Sequence, residues 1–498
     1  MERYDLLVVG GGINGAGIAR DAAGRGLRVL LVERGDLGGA TSSASSKLIH
    51  GGLRYLEQLH FRLVAEALGE REVLLKAAPY LVRPLRFVMP HVSALRPAWM
   101  IRLGLFAYDY LARRHALDAS HAVDLRSSAY GAGLKPQYGK GFVYSDCCVD
   151  DARLVVVVAR AAADLGAEIR RGVECTTANR RDGMWRVALR GTDGRESWIE
   201  ARAVANTTGP WVGQFLADAM ERPGQFGVKF IKGSHIVVPR LYEGSHAYIL
   251  QNEDGRVVFA RPYEDHYTLI GTTDVEVHGP TGDGDPSTDE IGYLCRAANR
   301  YFARAIAPAD VIWRYCGVRP LFDDGSSNPS AVTRDYVLRV DGRDGEAPVV
   351  SVIGGKITVF RRVAEQALAA LAPWFPALPG PWTREAMLPG GDLGDVGIEQ
   401  FVESRFGRDF PWLPERVRDV LVQRHGAKAY DVLSQCASLG DLGVHFGAGL
   451  YAREIDYLVE HEWARSAQDV LWRRTKAGLH LDAGQQAAVT RYLEARLS

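Results

Sequence analysis

Leu6-Leu7-Val8-Val9-Gly10-Gly11-Gly12-Ile13-Asn14-Gly15-Ala16-Gly17 lies at the very start of the chain, and its reading decides the fold. Four apolar residues in a row suit a strand buried on both faces. The glycines behind them are spaced G-x-G-x-x-G at Gly10, Gly12 and Gly15, and an alanine-rich, helix-prone stretch runs on to Gly26. Arg28-Val29-Leu30-Leu31-Val32 reads as a second buried strand, ended by Glu33. Strand, glycine turn, helix, strand and acid within about 30 residues is what a dinucleotide fold requires. Gly10 permits the tight turn, Gly12 lets backbone N–H groups approach a pyrophosphate, and Gly15 lets the helix lie close on the sheet. The helix N-terminus, with Asn14 in its first turn, attracts the anion. Glu33 can accept from both hydroxyls of an adenosine ribose.

That opening serves NAD and FAD equally, and the discrimination comes from further along. Thr41-Ser42-Ser43-Ala44-Ser45-Ser46-Lys47 is a hydroxyl-rich loop unusual at this position in a nicotinamide enzyme. Val349-Val350-Ser351-Val352-Ile353 reads as another buried strand, running into Gly354-Gly355-Lys356-Ile357-Thr358 and a helix through Ala364 and Leu371. A reduced flavin carries negative charge near its N1/C2=O edge, which a helix N-terminus and Lys356 would stabilise. Adenine half early and isoalloxazine half late is the split expected of FAD.

Of the 498 residues, 47% are apolar and 24% charged, which supports a large packed core and argues against disorder. At about 150 residues per domain, roughly two to four domains are expected. Lys plus Arg and Asp plus Glu both total 60, so no global charge draws the chain to nucleic acid. The six cysteines, at positions 147, 148, 175, 295, 316 and 436, show neither CxxC nor metal-ligand spacing. Free thiols, a reducing compartment and no metal site are therefore expected. The apolar run before Gly10 is too short for a secretory h-region, and no run of ~18 apolar residues reads as a membrane span. The chain is expected to be cytoplasmic or peripheral to a membrane.

Several motifs converge on one family. They are Gly10 to Gly17, Thr41 to Tyr55, Tyr144-Ser145-Asp146, Asp150-Asp151-Ala152-Arg153-Leu154, Ile231-Lys232-Gly233-Ser234-His235, Gly271-Thr272-Thr273-Asp274, Gly317-Val318-Arg319-Pro320-Leu321, Gly354-Gly355-Lys356 and Trp472-Arg473-Arg474-Thr475-Lys476. Together, and in order along almost the whole chain, they resemble the aerobic glycerol-3-phosphate dehydrogenases. The resemblance implies an α/β fold: an FAD-binding Rossmann-like domain of the glutathione-reductase/amino-acid-oxidase type, an antiparallel β-sheet substrate domain and a C-terminal helical domain. It implies non-covalent FAD and oxidation of sn-glycerol 3-phosphate to dihydroxyacetone phosphate. It further implies ubiquinone or menaquinone as acceptor and peripheral attachment to the inner face of the cytoplasmic membrane. Expected cofactor contacts on the matched motifs are Gly10, Gly12, Asn14, Gly15 and Glu33, then Thr41, Ser42, Ser45, Ser46 and Lys47, then Val173, Gly209 and Trp211, and finally Gly354, Gly355, Lys356, Ile357 and Thr358. Two departures are mild: Thr207 stands where the family has alanine, and Val359-Phe360 where Thr-Tyr is usual.

The expected domains are discontinuous: 1–80, 140–230 and 345–375 for FAD, 81–139 and 231–344 for substrate, and 390–498 for the helical domain. Residues 59–78 have amphipathic helical spacing, with Leu63, Val64, Ala67, Leu68 and Leu75 on one side. From Ala167 to Ala205, strand-like runs broken by Asp182-Gly183 and Asp193-Gly194 read as a meander. Ser234 to Pro239, Ala247 to Leu250, Arg256 to Ala260 and Tyr267 to Gly271 are short β-rich runs, with Asp254-Gly255 as a hairpin signal. Together they suggest an antiparallel sheet flooring a substrate cavity. Asp283-Gly284-Asp285 starts like a calcium loop, but Pro286 follows and the spacing fails, so it reads as a surface loop. After Pro389-Gly390-Gly391 the spacing is helical over Leu413–Gln423, Glu454–Glu462 and Ala464–Arg474; this cap leaves a homodimer open.

A dianionic phosphate held away from water needs several fixed cations, and guanidinium forks match its geometry. Arg54 and Arg319 are the phosphate candidates, with Arg334 and Lys356 as further cations. Hydride leaves C2 while a base takes the hydroxyl proton, a task suited to histidine. His50 and His235 both sit in matched motifs, and the sequence does not choose between them. Tyr55 can hydrogen-bond substrate hydroxyls, and Lys232 or Lys356 can stabilise developing oxyanion charge. Arg96 to Tyr108 mixes bulky apolar and aromatic residues with Arg96, Arg102, Arg113 and Arg114, a composition suited to a headgroup layer or to a buried helix.

The nearest rival is a glycerol-3-phosphate oxidase using O2. A flavin amine or amino-acid oxidase would not account for Arg54, Arg319 and Lys356 together, nor would a non-catalytic flavin regulator need them. An NAD enzyme explains only the opening.

Overall fold

The computed structural model describes residues 1–112, 117–281, 284–323, 335–343, 345–394 and 396–498. Leu6, Leu7 and Val8 have no exposed surface, because their strand, Glu2–Val9, lies at the centre of an eight-stranded sheet. Val29–Glu33 and then Glu168–Arg171 run parallel to it on one side; Glu196–Asn206 and then Val349–Ile353 run parallel on the other. The strand order reverses at Glu2–Val9, which opens a crevice beyond the carboxyl ends of the strands. Helices Ile13–Gly24, Asp151–Asp164 and Phe360–Leu371 cover one face of this sheet. The expected meander is present as Val173–Arg181, Met184–Gly191 and Glu196–Asn206, antiparallel to one another. Its first turn places both Asp182 (φ 51°) and Gly183 (φ 73°) in the left-handed region, as a two-residue hairpin requires.

The second sheet has ten strands and is mostly antiparallel. Val228–Pro239 pairs with both Trp313–Phe322 and Tyr267–Gly271, and the Asp254-Gly255 hairpin joins Ala247–Gln251 to Val257–Tyr263. Helix Thr288–Tyr301 lies on this sheet with an apolar core between them, started by a capping box in which Ser287 and Glu290 exchange hydrogen bonds. Three expected assignments move. Leu48–Ile49, assigned with 1–80, and Lys140–Val149, assigned with 140–230, both belong to the second sheet, whereas Val337–Asp341, assigned with 231–344, pairs with Val349–Ile353 in the first. A buried apolar strand has the same sequence pattern in either sheet, so only its hydrogen-bonded neighbours decide the matter.

The C-terminal region carries helices Glu415–His425, Ala452–His461 and Ala483–Leu497, together with a short hairpin at His445–Gly447 and Leu450–Tyr451 that helical spacing does not disclose. Its apolar side chains share one core with the first domain, where Val422, Ile455 and Leu471 join the cluster that holds Leu154 and Val158. No helix among the described residues is long and apolar enough to cross a membrane. Gly284 and Asp285 of the loop discussed above are described, with Asp285 paired to Arg314 at 3.2 Å, whereas Asp283 lies outside the described residues.

Candidate active site

The first glycine turn is closed to side chains. Gly10 has φ +107°, and a Cβ there would lie 2.5 Å from the Thr207 carbonyl oxygen. A Cβ on Gly15 would lie 1.9 Å from the Gly10 carbonyl oxygen. Thr207 itself donates its hydroxyl to the Val9 carbonyl at 2.8 Å, so the hydroxyl that departs from the family pattern tightens this turn. At the end of the next strand, the Glu33 carboxylate accepts from Gly11 N–H and Gly35 N–H, both at 2.7 Å. Those bonds fix its orientation and leave lone pairs for ribose hydroxyls. Trp211 follows Gly209 (φ +59°) and lies under the Arg34 guanidinium, 4.5 Å from its ring centroid. Val173 begins just past Arg171, the residue opposite Glu33 in the parallel ladder.

The second glycine turn meets the first. Asn14 Nδ2 donates to the Gly354 carbonyl at 3.2 Å. Gly354 (φ +78°) and Gly355 (φ +96°) both need the left-handed region. Ser42 Oγ accepts from Ile13 N–H at 3.0 Å, Thr41 donates to the Val318 carbonyl at 2.7 Å, and Thr358 Oγ1 accepts weakly from His50 N–H at 3.4 Å. The hydroxyl-rich loop, the two glycine turns and the strand Trp313–Phe322 therefore enclose one space.

That space is a cavity of ≈ 230 Å³ whose lining includes Ser42, Ser45, Ser46, His50, Arg54, Tyr55, Arg319 and the whole run Gly354 to Thr358. Arg319 Nη1 is 2.6 Å from Asp274 Oδ1, and Arg54 Nη1 is 3.8 Å from Asp274 Oδ2, so one carboxylate brackets both guanidinium groups. Arg54 Nη2 is buried and makes no hydrogen bond among the described residues. Lys356 Nζ sits 3.9 Å from the Tyr55 ring centroid. The opposite wall is apolar, formed by Tyr144, Ile249, Val257 and Phe259. The His50 imidazole meets Phe259 edge-on at 5.9 Å, and burial, with the Lys356 charge second, pushes its pKa down to about 3. The ring is neutral at physiological pH.

Other expected site residues do not line the cavity. His235 is almost fully buried, with Nε2 2.9 Å from Ser46 Oγ, its ring stacked on Tyr315, and Nδ1 without a hydrogen-bond partner among the described residues. Burial, then Arg319, Lys47 and Arg261, holds it neutral. Lys232 points to Glu290, 2.9 Å away, and is absent from the cavity lining. The Lys47 ammonium is buried against Asp151 at 2.7 Å. Arg334 lies outside the described residues. Sequence reasoning gave no role to Asp274, although it stands in the Gly271-Thr272-Thr273-Asp274 motif, and missed Phe259, which only the sheet register brings over His50.

The residues present fit a flavin dinucleotide: a glycine turn no side chain can fill, a helix N-terminus, an anchored acid, and Asn14 Oδ1 buried between the two turns with no hydrogen-bond partner among the described residues. A family model described as FAD dependent oxidoreductase matches residues 5–350, and one described as the C-terminal domain of alpha-glycerophosphate oxidase matches residues 381–495. The glycerol-3-phosphate dehydrogenase of Pseudomonas aeruginosa is 50% identical over 493 residues, covering 99% of this chain and 95% of its own. The aerobic glycerol-3-phosphate dehydrogenase of Escherichia coli K12 is 49% identical over 494 residues, covering 99% and 98%. The chain belongs to the FAD-dependent glycerol-3-phosphate dehydrogenase family. Its cofactor is FAD. Another member of the relationship, the D-erythritol 1-phosphate dehydrogenase of Brucella abortus, is 48% identical over 495 residues, covering 99% and 98%. Among solved structures, the glycerol-3-phosphate dehydrogenase of Bacillus halodurans complexed with FAD superposes with a TM-score of 0.76 at 25% identity, covering 99% of this chain and 94% of that one.

Proposed function

We propose that the protein oxidises sn-glycerol 3-phosphate to dihydroxyacetone phosphate and that its electrons pass to a membrane quinone. The convergence of Arg54, Arg319, Lys356 and His50 on one cavity, beside the two glycine turns, carries this reading. FAD, held by the turn Gly10–Gly15, Glu33 and the run Gly354–Thr358, would supply the two-electron acceptor for the hydride from C2. Arg54 and Arg319 present guanidinium N–H groups to the phosphate, with Asp274 holding their orientation. Tyr55 and Lys356 face the substrate hydroxyls, and the Lys356 ammonium stabilises the oxygen at C2 as its proton departs. His50 is the base, because its imidazole is neutral and faces the cavity, whereas His235 is spent on Ser46 and the Tyr315 ring. A bound dianion favours the imidazolium and so raises the basicity of His50 on substrate binding. The apolar wall keeps water from the reacting carbon.

The acceptor and the membrane rest on a different observation. Helix Ala98–Tyr110 buries Ile101, Leu105 and Tyr108 but exposes Trp99, Leu103, Phe106 and Tyr110, and Leu59 and Phe61, just after the segment Leu53–Leu56 that this helix packs against, are also exposed. Exposed aromatic and aliphatic residues of this kind on one helix suit the acyl–headgroup boundary. We place this helix in the inner leaflet, where a quinone rather than O2 takes the electrons; Arg113 and Arg114 lie outside the described residues.

The test is anaerobic titration of the yellow protein with glycerol 3-phosphate, with D-erythritol 1-phosphate and glycerol as comparisons. Bleaching of the flavin band near roughly 450 nm by glycerol 3-phosphate at the lowest concentration is expected. Bleaching by the tetritol phosphate alone would reassign the substrate.

A further inference from the structure

Two buried lysines of this protein both adopt left-handed backbone conformations, Lys47 at φ 55° and Lys476 at φ 59°. A non-glycine residue there is strained, and such strain gathers where the surrounding structure fixes a functional position. The two side chains end on adjacent aspartates. Lys476 Nζ, from the C-terminal domain, reaches both carboxylate oxygens of Asp150 at 2.9 and 2.7 Å. Lys47 Nζ reaches Asp151 Oδ1 at 2.7 Å and the Ser43 carbonyl at 3.0 Å. The other oxygen of Asp151 accepts from Ser45 N–H and Ser45 Oγ at 3.1 and 2.7 Å. Asp150 also caps the helix that starts at Asp151, accepting from Arg153 N–H at 3.1 Å.

These four residues form a charge-balanced cluster, two ammonium and two carboxylate groups, and three of them are almost completely buried. One side of it is the loop Thr41–Lys47, which lines the cavity through Ser42, Ser45 and Ser46. The remaining side is Lys476, more than 300 residues away in sequence. The loop is held once more from behind, where the Tyr315 hydroxyl donates to the Ser45 carbonyl at 2.9 Å and its ring stacks on His235. Removing the Lys476 charge leaves one carboxylate in excess beneath the loop, in a low-dielectric setting where a charge acts at longer range than in water.

We propose that Lys476 is a positioning residue for the flavin: through Asp150, Asp151 and Lys47 it fixes the shape and the charge of the Thr41–Lys47 loop. The C-terminal domain thereby sets cofactor affinity and reduction potential without reaching the cofactor. This rests on the reading that the loop holds the flavin. An excess negative charge near the flavin opposes its reduction, so the potential of a Lys476→Met variant shifts negative.

Four variants of the full chain test this, read by the FAD dissociation constant, the flavin midpoint potential and thermal stability. Lys476→Met is expected to bind FAD about tenfold or more weakly, as loss of one charge-assisted buried hydrogen bond implies, with the negative shift in potential. Lys476→Arg keeps the charge and is expected to keep the potential. The double variant Lys476→Met/Asp150→Asn restores neutrality and a helix cap, and the potential is expected to return toward that of the unaltered protein. Ser42→Leu pushes a side chain from the same loop into the cavity. If Ser42→Leu weakens FAD binding while Lys476→Met only lowers thermal stability, the proposal for Lys476 is overturned and the loop reading stands. If Ser42→Leu leaves FAD affinity and potential unchanged, the loop does not hold the flavin and both readings fall.

Discussion

Asn14 Nδ2 lies 3.2 Å from the carbonyl oxygen of Gly354, a hydrogen bond that joins the first glycine turn to the second across 340 residues. On the proposed binding of the adenine half at the first turn and the isoalloxazine half at the second, this contact would register the two parts of one cofactor site. Asn14→Ala is expected to weaken FAD binding about fivefold, the yield of one neutral hydrogen bond. Fluorescence titration of the stripped protein measures this, and an unchanged dissociation constant refutes the bridging role.

Gly15→Ala is expected to give protein without flavin. The new methyl group would sit 1.9 Å from the Gly10 carbonyl oxygen, a backbone atom that can move only by opening the turn. The absorbance ratio of the purified variant decides the point, and stoichiometric FAD would contradict it.

Arg319→Ala is expected to raise the KM for glycerol 3-phosphate by about 10- to 100-fold, the range of a charge-assisted contact to phosphate. Arg319→Lys recovers only part, since an ammonium cannot replace the fork that Asp274 orients at 2.6 Å. Steady-state kinetics with an artificial electron acceptor separates this from any membrane effect.

His246 gives the fold a pH dependence remote from catalysis. It is buried among Tyr130, Tyr242 and Tyr248, Nε2 has no hydrogen-bond partner among the described residues, and burial lowers its pKa from 6.5 to about 4. Above pH 6.5 the ring is neutral in both folded and unfolded chains. Between 6.5 and about 4 the unfolded chain binds the proton and the folded one does not. Stability therefore falls as pH drops through that window, by up to about 1.4 kcal/mol per unit. Chemical denaturation of His246→Phe at pH 7 and 5 is expected to show a shallower loss than the unaltered protein; an identical slope would exclude the histidine.

Trp99→Glu combined with Phe106→Glu is expected to release the protein from anionic vesicles in a sedimentation assay while leaving turnover with a soluble acceptor near its original value. Both side chains are exposed, at 68% and 57%, so the substitutions disturb no core. Retention on the vesicles would show that another surface makes the contact.

The opening strand, glycine turn and acid were legible in sequence because each element there answers to a local rule: φ > 0 at Gly10, no room for Cβ at Gly15, an acid at the strand end. Val349 to Thr358 was legible for the same reason, and the motifs singled out Arg54, Tyr55, Arg319 and Lys356, which the fold brings to the lining of one cavity. Side-chain destinations were not legible. Lys232 and Lys47 look like site cations in sequence, yet each is neutralised by an acid from a distant segment, Glu290 and Asp151. A buried ammonium must find a carboxylate, and which one depends on the packing of whole elements.

By itself the sequence determined the nucleotide crevice, the order of its elements and the residue types that can hold a phosphate, since these follow from backbone sterics and charge within a few residues. Only the tertiary structure decided which sheet takes Lys140–Val149, which histidine faces the cavity, and that Lys476 reaches the aspartates beside the flavin loop. Those outcomes depend on register and burial between segments hundreds of residues apart, where free energy is set by which surfaces meet and not by local preference.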